Sequence, residues 1–262
     1  MRYKHVFAVC AYKDSPYLEQ CIRSLKAQTV PSHIIICTST PSSYIDRLAW
    51  KYGLQVCVRQ GESGIKDDWN FAYSMAEGEL VTIAHQDDMY HRDYSARLLA
   101  AHRRYPDMTV FTTDYVIVKQ GALITGDAML WIKRILRMPL RFPQMNDRAW
   151  VKKLAFVLGN PICCPATTYH KAVLGEPFVR SEYSFALDWD NLYQLACRPG
   201  RFVCSERPLI FYRVHPGATT KQCIEDNRRK NDETAMFRKM WPESMVKLFM
   251  HFYKKAYRAY EK

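Results

Sequence analysis

The residues best suited to chemistry in this chain are His85-Gln86-Asp87-Asp88, which directly follow the apolar run Leu80–Ala84. Adjacent carboxylates at the end of a buried strand supply the hard oxygens with which Mg2+ or Mn2+ holds a diphosphate. In open α/β sheets, ligands gather outside the carboxyl ends of strands. Such a pair is a metal and phosphate address, and it points to a nucleotide-linked substrate. A solvated turn is the plainer reading, because Asp is common where strands end.

What precedes the cluster bears on that choice. Val6–Ala11 reads as a strand, and Ser15-Pro16 as a helix cap followed by proline at the first helical position. Leu18, Cys21, Ile22 and Leu25 then recur at i, i+3, i+4, i+7, which predicts a helix with one buried face. His33–Thr38 predicts a second strand, and Ile45, Leu48, Ala49 and Tyr52 a second helix stopped by Gly53. Leu54–Val58 reads as a third strand, and Trp69, Ala72, Tyr73 and Ala76 mark a third helix that ends at Gly78. The fourth strand delivers the acidic cluster. This alternation predicts an α/β fold with a mostly parallel nucleotide-binding sheet flanked by helices.

Beyond the cluster the periodicity weakens. Tyr94 to His102 reads as helical and Thr109–Val118 as β-rich, while 119–165 reads as irregular around Pro139, Pro143, Pro161 and Pro165. Asn191–Ala196 predicts a helix, Phe202–Cys204 and Leu209–Tyr212 two short strands, and the tail after about residue 222 a helical extension broken at Pro242.

Composition narrows the function classes. A chain of 262 residues with 48% hydrophobic content has enough apolar surface for a sizeable core, which excludes a disordered or fibrous protein. Most of the nine cysteines sit in apolar runs without paired spacing, which fits buried free thiols in a reducing cytoplasm, and adjacent Cys163-Cys164 lacks zinc-site spacing. Val6–Ala11 is too short for a signal peptide, and no apolar stretch approaches a membrane span. The net charge of +12 is concentrated in 129–142 and 236–262, where Lys and Arg interleave with Trp, Phe, Leu and Met. A helix lying on an anionic bilayer has this pattern, and so does an ordinary amphipathic helix with a basic solvated face. No nucleic-acid motif accompanies the charge, so no nucleic-acid partner is expected.

Three segments stand in a telling order: VFAVCAYKDSPYLEQCIRSLKAQT, then AEGELVTIAHQDDMY, then ALDWDNLYQLA with PLIFYRVHPGATT. Together they resemble family 2 glycosyltransferases of the GT-A fold over roughly residues 5–215. The resemblance implies an enzyme that moves a sugar from a nucleoside-diphosphate donor to an acceptor hydroxyl with inversion, using Mn2+ or Mg2+. It implies Asp87 as metal ligand, with Asp88 contacting metal or donor and His215 reaching the metal or the diphosphate. It implies Asp188 as the base that takes the acceptor proton, with Asp190 as competitor; a helix cap is the plain alternative for Asp188. Donor contacts are expected from Ala11, Tyr12 and Asp14 in the first loop, from Lys66, Asp68 and Asn70, and from His85, Gln86, Asp88 and Arg213. Asn160, Thr167 and Trp189 fall on the expected acceptor side, where Trp131 and Trp150 are further candidates for stacking on sugar rings.

Two departures from the family pattern stand out. His85 occupies the first acidic position, and Trp69 a place where arginine is common. The expected organisation is a GT-A-like catalytic domain over 1–221, with a nucleotide-binding half 1–90 and an acceptor half 91–221, followed by a basic amphipathic helical tail 222–262. The expected setting is the cytoplasmic face of a membrane, reached through that tail, with a glycan or lipid-linked acceptor in surface polysaccharide or glycolipid synthesis. The rival readings are a non-catalytic sugar-nucleotide or polysaccharide-binding module on the same fold, and a nucleotidyltransferase.

Overall fold

The computed structural model describes residues 2–215, 217 and 227–257. Pro216 and the expected boundary between 221 and 222 lie outside the described residues, as do 218–226 and the basic end of the tail, 258–262.

The first half alternates as the apolar spacing predicts: β1 (Tyr3–Ala11), α1 (Leu18–Lys26), β2 (His33–Thr38), α2 (Ser43–Tyr52), β3 (Gln55–Val58), α3 (Ile65–Met75) and β4 (Gly78–His85). Val6, Phe7, Ala8 and Val9 of β1 are wholly buried, because this strand is central and covered by helices on both faces. Each fully buried Val or Phe stabilises the fold by about 1.5–3 kcal/mol. The buried face of α1 is Leu18, Cys21, Ile22 and Leu25. Helix α1 begins at Leu18, however, and Ser15 lies ahead of its first turn.

The second half contains β5 (Met89–Tyr90), α4 (Tyr94–Arg104), β6 (Met108–Lys119), β7 (Ala122–Ile124), α5 (Ala128–Leu136), α6 (Ala149–Leu154), β8 (Thr167–His170), α7 (Lys171–Leu174), α8 (Leu187–Ala196), β9 (Arg201–Val214), α9 (Arg228–Arg238) and α10 (Glu243–Tyr257). Residues 119–165 are therefore less irregular than their prolines suggest, since α5 and α6 form between them. The two short strands expected over 202–212 are one long strand, bent where its register against β6 shifts between Thr113, Asp114 and Tyr115.

Among the described residues the strands form one sheet in the order β3-β2-β1-β4-β8-β6-β9-β5, with β7 beside β6. Strands β1 to β4 are mutually parallel, β8 runs antiparallel to both β4 and β6, and β9 is parallel to β6. The parallel character thus belongs to β1 to β4, and the sheet beyond them is mixed.

The C-terminal helices join the main core. Met236, Phe237, Val246 and Met250 are buried in one cluster with Trp189 and Leu192 of α8. The apolar face of the tail is therefore largely spent on packing, with Leu248 and Phe252 left exposed.

Candidate active site

Sheet register decides what the acidic cluster can meet. Cys10 at the end of β1 pairs with both Cys37 of β2 and His85 of β4, so the loops after these three strands open at one edge. The short strand β5 then pairs antiparallel with Ile210 and Phe211 of β9. That pairing lays Asp87 and Asp88 against the end of β9. The backbone N–H of Arg213 donates to Asp88 Oδ1 at 2.8 Å, and its Nε donates to the Asp87 carbonyl at 2.9 Å. Its guanidinium also covers the Tyr17 ring at 4.3 Å and donates to Gln20 Oε1 at 2.7 Å. Arg213 thus clamps the acidic turn to α1, which makes it a positioning residue.

Asp87 is the freer of the two carboxylates. Ser15 Oγ donates to its Oδ1 at 3.0 Å, while its Oδ2 lies 3.2 Å from His215 Nε2. That nitrogen is shielded from solvent and has no aligned hydrogen-bond partner among the described residues, so the contact is one of proximity. Two ligands at about 2.1 Å from a cation, placed at right angles, lie about 3 Å apart. The Asp87–His215 pair has that spacing. Burial pushes the Asp88 carboxyl up to about 8, against the opposing pull of the Arg213 amide. A buried carboxylate with so little compensation is stabilised by a nearby cation. These groups fit a hard divalent cation such as Mn2+ or Mg2+.

His85 and Trp69, the two departures from the family pattern, are neighbours, with ring centroids 5.2 Å apart. Burial lowers His85 to about 4, so its ring is neutral at physiological pH, and its Nε2 is unpartnered. The residue that replaces a carboxylate therefore packs on the residue that replaces an arginine. The exchange removes one charge of each sign.

On the acceptor side, Asp188 is the second residue of α8. It is not the N-cap, a place taken by Ala186, which carries no side-chain cap bond. Asp232 of α9 holds the segment just ahead of the helix, its Oδ2 accepting the N–H groups of Ser184, Phe185 and Ala186 at 2.9, 2.6 and 3.3 Å. Asp188 accepts the Trp189 N–H at 2.7 Å through Oδ1 and the Asn160 side-chain amide at 2.9 Å through Oδ2. Burial raises it to about 6, with the Trp189 amide and then Lys133 pulling the other way. The buried Cys164 thiol is pushed far up by burial first, then by Asp188, with Cys163, Cys10 and Asp88 adding to it.

Several expected contacts are engaged elsewhere. Asp190 is buried, bound to Lys239 at 2.8 Å and to Gln194 at 2.9 Å, so it does not compete with Asp188. Thr167 is wholly buried and donates to the Cys163 carbonyl, which corrects its reading as an acceptor contact. Trp189 is 2% exposed and donates its indole N–H to Phe156, so it packs in the core and offers no sugar platform. Asn70 exchanges two hydrogen bonds with the Val179 backbone, Asp68 pairs with Arg59 at 2.7 Å, and Lys66 reaches Glu182. Gln86 exchanges two 3.0 Å bonds with the Tyr12 backbone, and Asp14 accepts from Ser42, so both shape the first loop. Ala11 is buried, leaving its backbone as the part that can face a ligand, while Tyr12 is exposed.

Three residues that matter here gave no signal in the sequence. Ser15 reads as a helix cap, and Asp232 and Lys239 lie in a basic stretch with no motif. Their roles come from contacts made between distant segments.

A model of glycosyl transferase family 2 matches residues 7–159. The chain belongs to this family. No curated protein sequence matches it. Among solved structures, this family 2 chain is similar to Staphylococcus aureus TarS 1–349 in complex with UDP-GlcNAc, at a TM-score of 0.61 and 18% identity. That match covers 82% of this chain and 60% of TarS 1–349, so the chain spans less than two thirds of that structure. It is also similar to glucosyl-3-phosphoglycerate synthase from Mycobacterium tuberculosis with Mn2+ and UDP-glucose, at a TM-score of 0.63, 13% identity and coverage of 93% and 81%. A mannosyltransferase from Pyrobaculum calidifontis with GDP-Man and Mn2+ gives a TM-score of 0.64, 14% identity and coverage of 96% and 69%. At such identities the likeness is one of fold, the GT-A arrangement of a curled sheet with flanking helices. The family 2 match ends before Asp188, so the case for that residue as base is made by its geometry.

Proposed function

We propose that this glycosyltransferase is metal-dependent and inverting, and that it transfers a sugar from a nucleoside-diphosphate donor to an acceptor hydroxyl. The observation that carries the reading is the meeting of Asp87 and His215 at the carboxyl edge of β4. Asp87, Asp88 and His215 would hold Mn2+ or Mg2+, and a cation bound there offsets the charge on the departing diphosphate. Ser15 and Arg213 orient the acidic turn. Asp188 takes the proton of the acceptor hydroxyl as that oxygen bonds to the anomeric carbon. The bond to the diphosphate breaks on the opposite face, which inverts the centre. A carboxylate that titrates near 6 is ionised at neutral pH and is a stronger base than an ordinary Asp. Asn160 fixes its direction. The donors held by similar structures, UDP-sugars and GDP-Man, support a nucleotide-sugar substrate.

The acceptor is proposed to be lipid-linked, with the enzyme at the cytoplasmic face of a membrane building a surface polysaccharide or glycolipid. Support comes from α5, α6 and the turn between them more than from the tail. Arg134 and Arg137 of this region turn inward to Asp114, while Trp131, Ile135, Phe142 and Trp150 are each more than half exposed. Ile135, Met138, Phe142, Met145, Trp150 and Leu154 line an apolar groove of about 350 Å3. An exposed apolar patch of this kind marks an interaction surface, and its chain leads directly to Asn160. No helix among the described residues is long and apolar enough to cross a membrane, so the contact would be peripheral.

The test is a panel of sugar nucleotides incubated with purified protein and Mn2+, with released nucleoside diphosphate measured. Turnover that disappears in Asp87→Asn and Asp188→Asn, with folding intact, supports the reading. Neither binding nor turnover across the panel refutes it, and pyrophosphate release from a nucleoside triphosphate would favour a nucleotidyltransferase.

A further inference from the structure

At the opposite end of β4, three ligating side chains from three elements meet. Glu79 is the second residue of β4, His102 lies in the last turn of α4, and His170 ends β8. Glu79 Oε1 is 3.0 Å from His102 Nε2 and 3.4 Å from His170 Nε2, and the three ligand atoms lie within 4.8 Å of one another. Both imidazoles are buried, whereas the glutamate side chain is 30% exposed and leaves one side open to water.

The hydrogen bonds fix which atoms face inward. His170 Nδ1 lies 2.8 Å from the Met108 carbonyl oxygen. A carbonyl only accepts, so Nδ1 carries a proton and Nε2 is the ring atom turned toward Glu79. This arrangement is typical of metal-binding histidine, whose other nitrogen is held by a carbonyl or carboxylate. Lys4 occupies Glu79 Oε2 at 2.7 Å, so Oε1 is left for the histidines. His102 Nδ1 is buried without a partner, so this ring is satisfied through Nε2 alone. A proton can bridge one pair of these atoms, whereas a metal ion serves all three.

We propose that Glu79, His102 and His170 form a structural site for a zinc-type divalent cation, with water as the fourth ligand. Tetrahedral zinc with ligands at about 2.0–2.1 Å sets those ligands about 3.3 Å apart, and the two observed separations bracket that value. Two imidazoles and one carboxylate suit Zn2+ better than Mg2+. The site pins the start of β4 to α4 and β8. Five residues of strand lie between Glu79 and His85, a rise of about 20 Å, so this cation is distinct from the donor metal.

Co2+ is the probe, added to chelator-stripped full-length protein. One equivalent should give the visible absorption of tetrahedral Co2+, be displaced by Zn2+, and Zn2+ should raise the melting temperature. Glu79→Gln and His170→Gln should weaken Co2+ binding at least about tenfold and lose the thermal gain, while Asp87→Asn keeps both. Circular dichroism checks each fold, and Glu79→Gln, at the most exposed of the three positions, decides if a buried histidine variant fails to fold. Absence of the tetrahedral signal overturns the proposal. So does a signal or thermal gain that survives Glu79→Gln, or one that is lost in Asp87→Asn.

Discussion

Asp232 Oδ2 accepts the backbone N–H of Phe185 at 2.6 Å, so a carboxylate from α9 anchors the turn that leads into α8. It also accepts the N–H groups of Ser184 and Ala186 on either side. Asp188 lies two residues beyond Ala186 and is held by the Trp189 N–H and the Asn160 amide. Asp232 thus sets where the helix that carries Asp188 begins.

Asp232→Ala should therefore cost about 1–3 kcal/mol of stability, because backbone N–H groups ahead of α8 lose their acceptor. It should also lower kcat more than donor KM, because the start of the helix that carries Asp188 loses its anchor. Urea unfolding and steady-state kinetics measure the two effects.

The pH dependence follows from Asp188. With a folded value of about 6, turnover should fall as pH drops through 6, and Asp188→Asn should lower it by about 10²–10⁴-fold. The stability effect has the opposite sense. The folded state binds this proton more tightly than the unfolded chain, whose value is 3.8. Its contribution to stability is therefore greatest below about pH 4 and declines as pH rises to 6, by at most about 1.4 kcal/mol per pH unit. A pH-rate profile and denaturation curves at pH 4, 5, 6 and 7 check both signs.

His215→Ala should raise the Mn2+ concentration needed for half-maximal turnover by about 10–100-fold or more, with little change in melting temperature without metal. Asp87→Asn should act in the same direction and more strongly. Activity titrated with Mn2+ reads the shift directly, and an unchanged Mn2+ requirement in both variants would remove these residues from the metal site.

The buried ion pair below the apolar groove is a separate matter. Arg137 is wholly buried, paired to Asp114 and donating to the Pro161 carbonyl at 3.2 Å. Asp114→Asn leaves that guanidinium without a counter-charge and should cost about 3–5 kcal/mol. Guanidinium denaturation of the variant checks it. Exposed Lys4→Gln, which lies on a different surface pair, should cost under about 1 kcal/mol.

The nucleotide half was legible because its information is local. Strands β1 to β4 and helices α1 to α3 each carry a burial period that the sequence displays, and His85 to Asp88 follow the last strand. The acceptor half was less so. The prolines of 119–165 drew attention from the apolar spacing of α5, and Pro208 divided β9 into two apparent strands although it sits at a register shift. Trp189 and Thr167 were placed on the acceptor side by their position in the chain, but they lie inward once α8 and β8 are packed. Asp190 could be separated from Asp188 only by Lys239, which comes from a helix two elements further on.

The register shifts in β9 have a consequence for how this enzyme tolerates change. Thr113 pairs with Ser205, Asp114 with Pro208 and Tyr115 with Ile210, so β9 uses more residues than β6 over the same span. Arg213 and His215 lie beyond this slack, and their arrival at Asp87 and Asp88 depends on its length. Side chains alternate faces along a strand, so gaining or losing one residue between 205 and 209 would turn both away from the acidic turn. The proposed metal-binding geometry is in this sense measured out by residues outside the site itself, and homologous chains that differ in length there would need a compensating change on β6 to keep it.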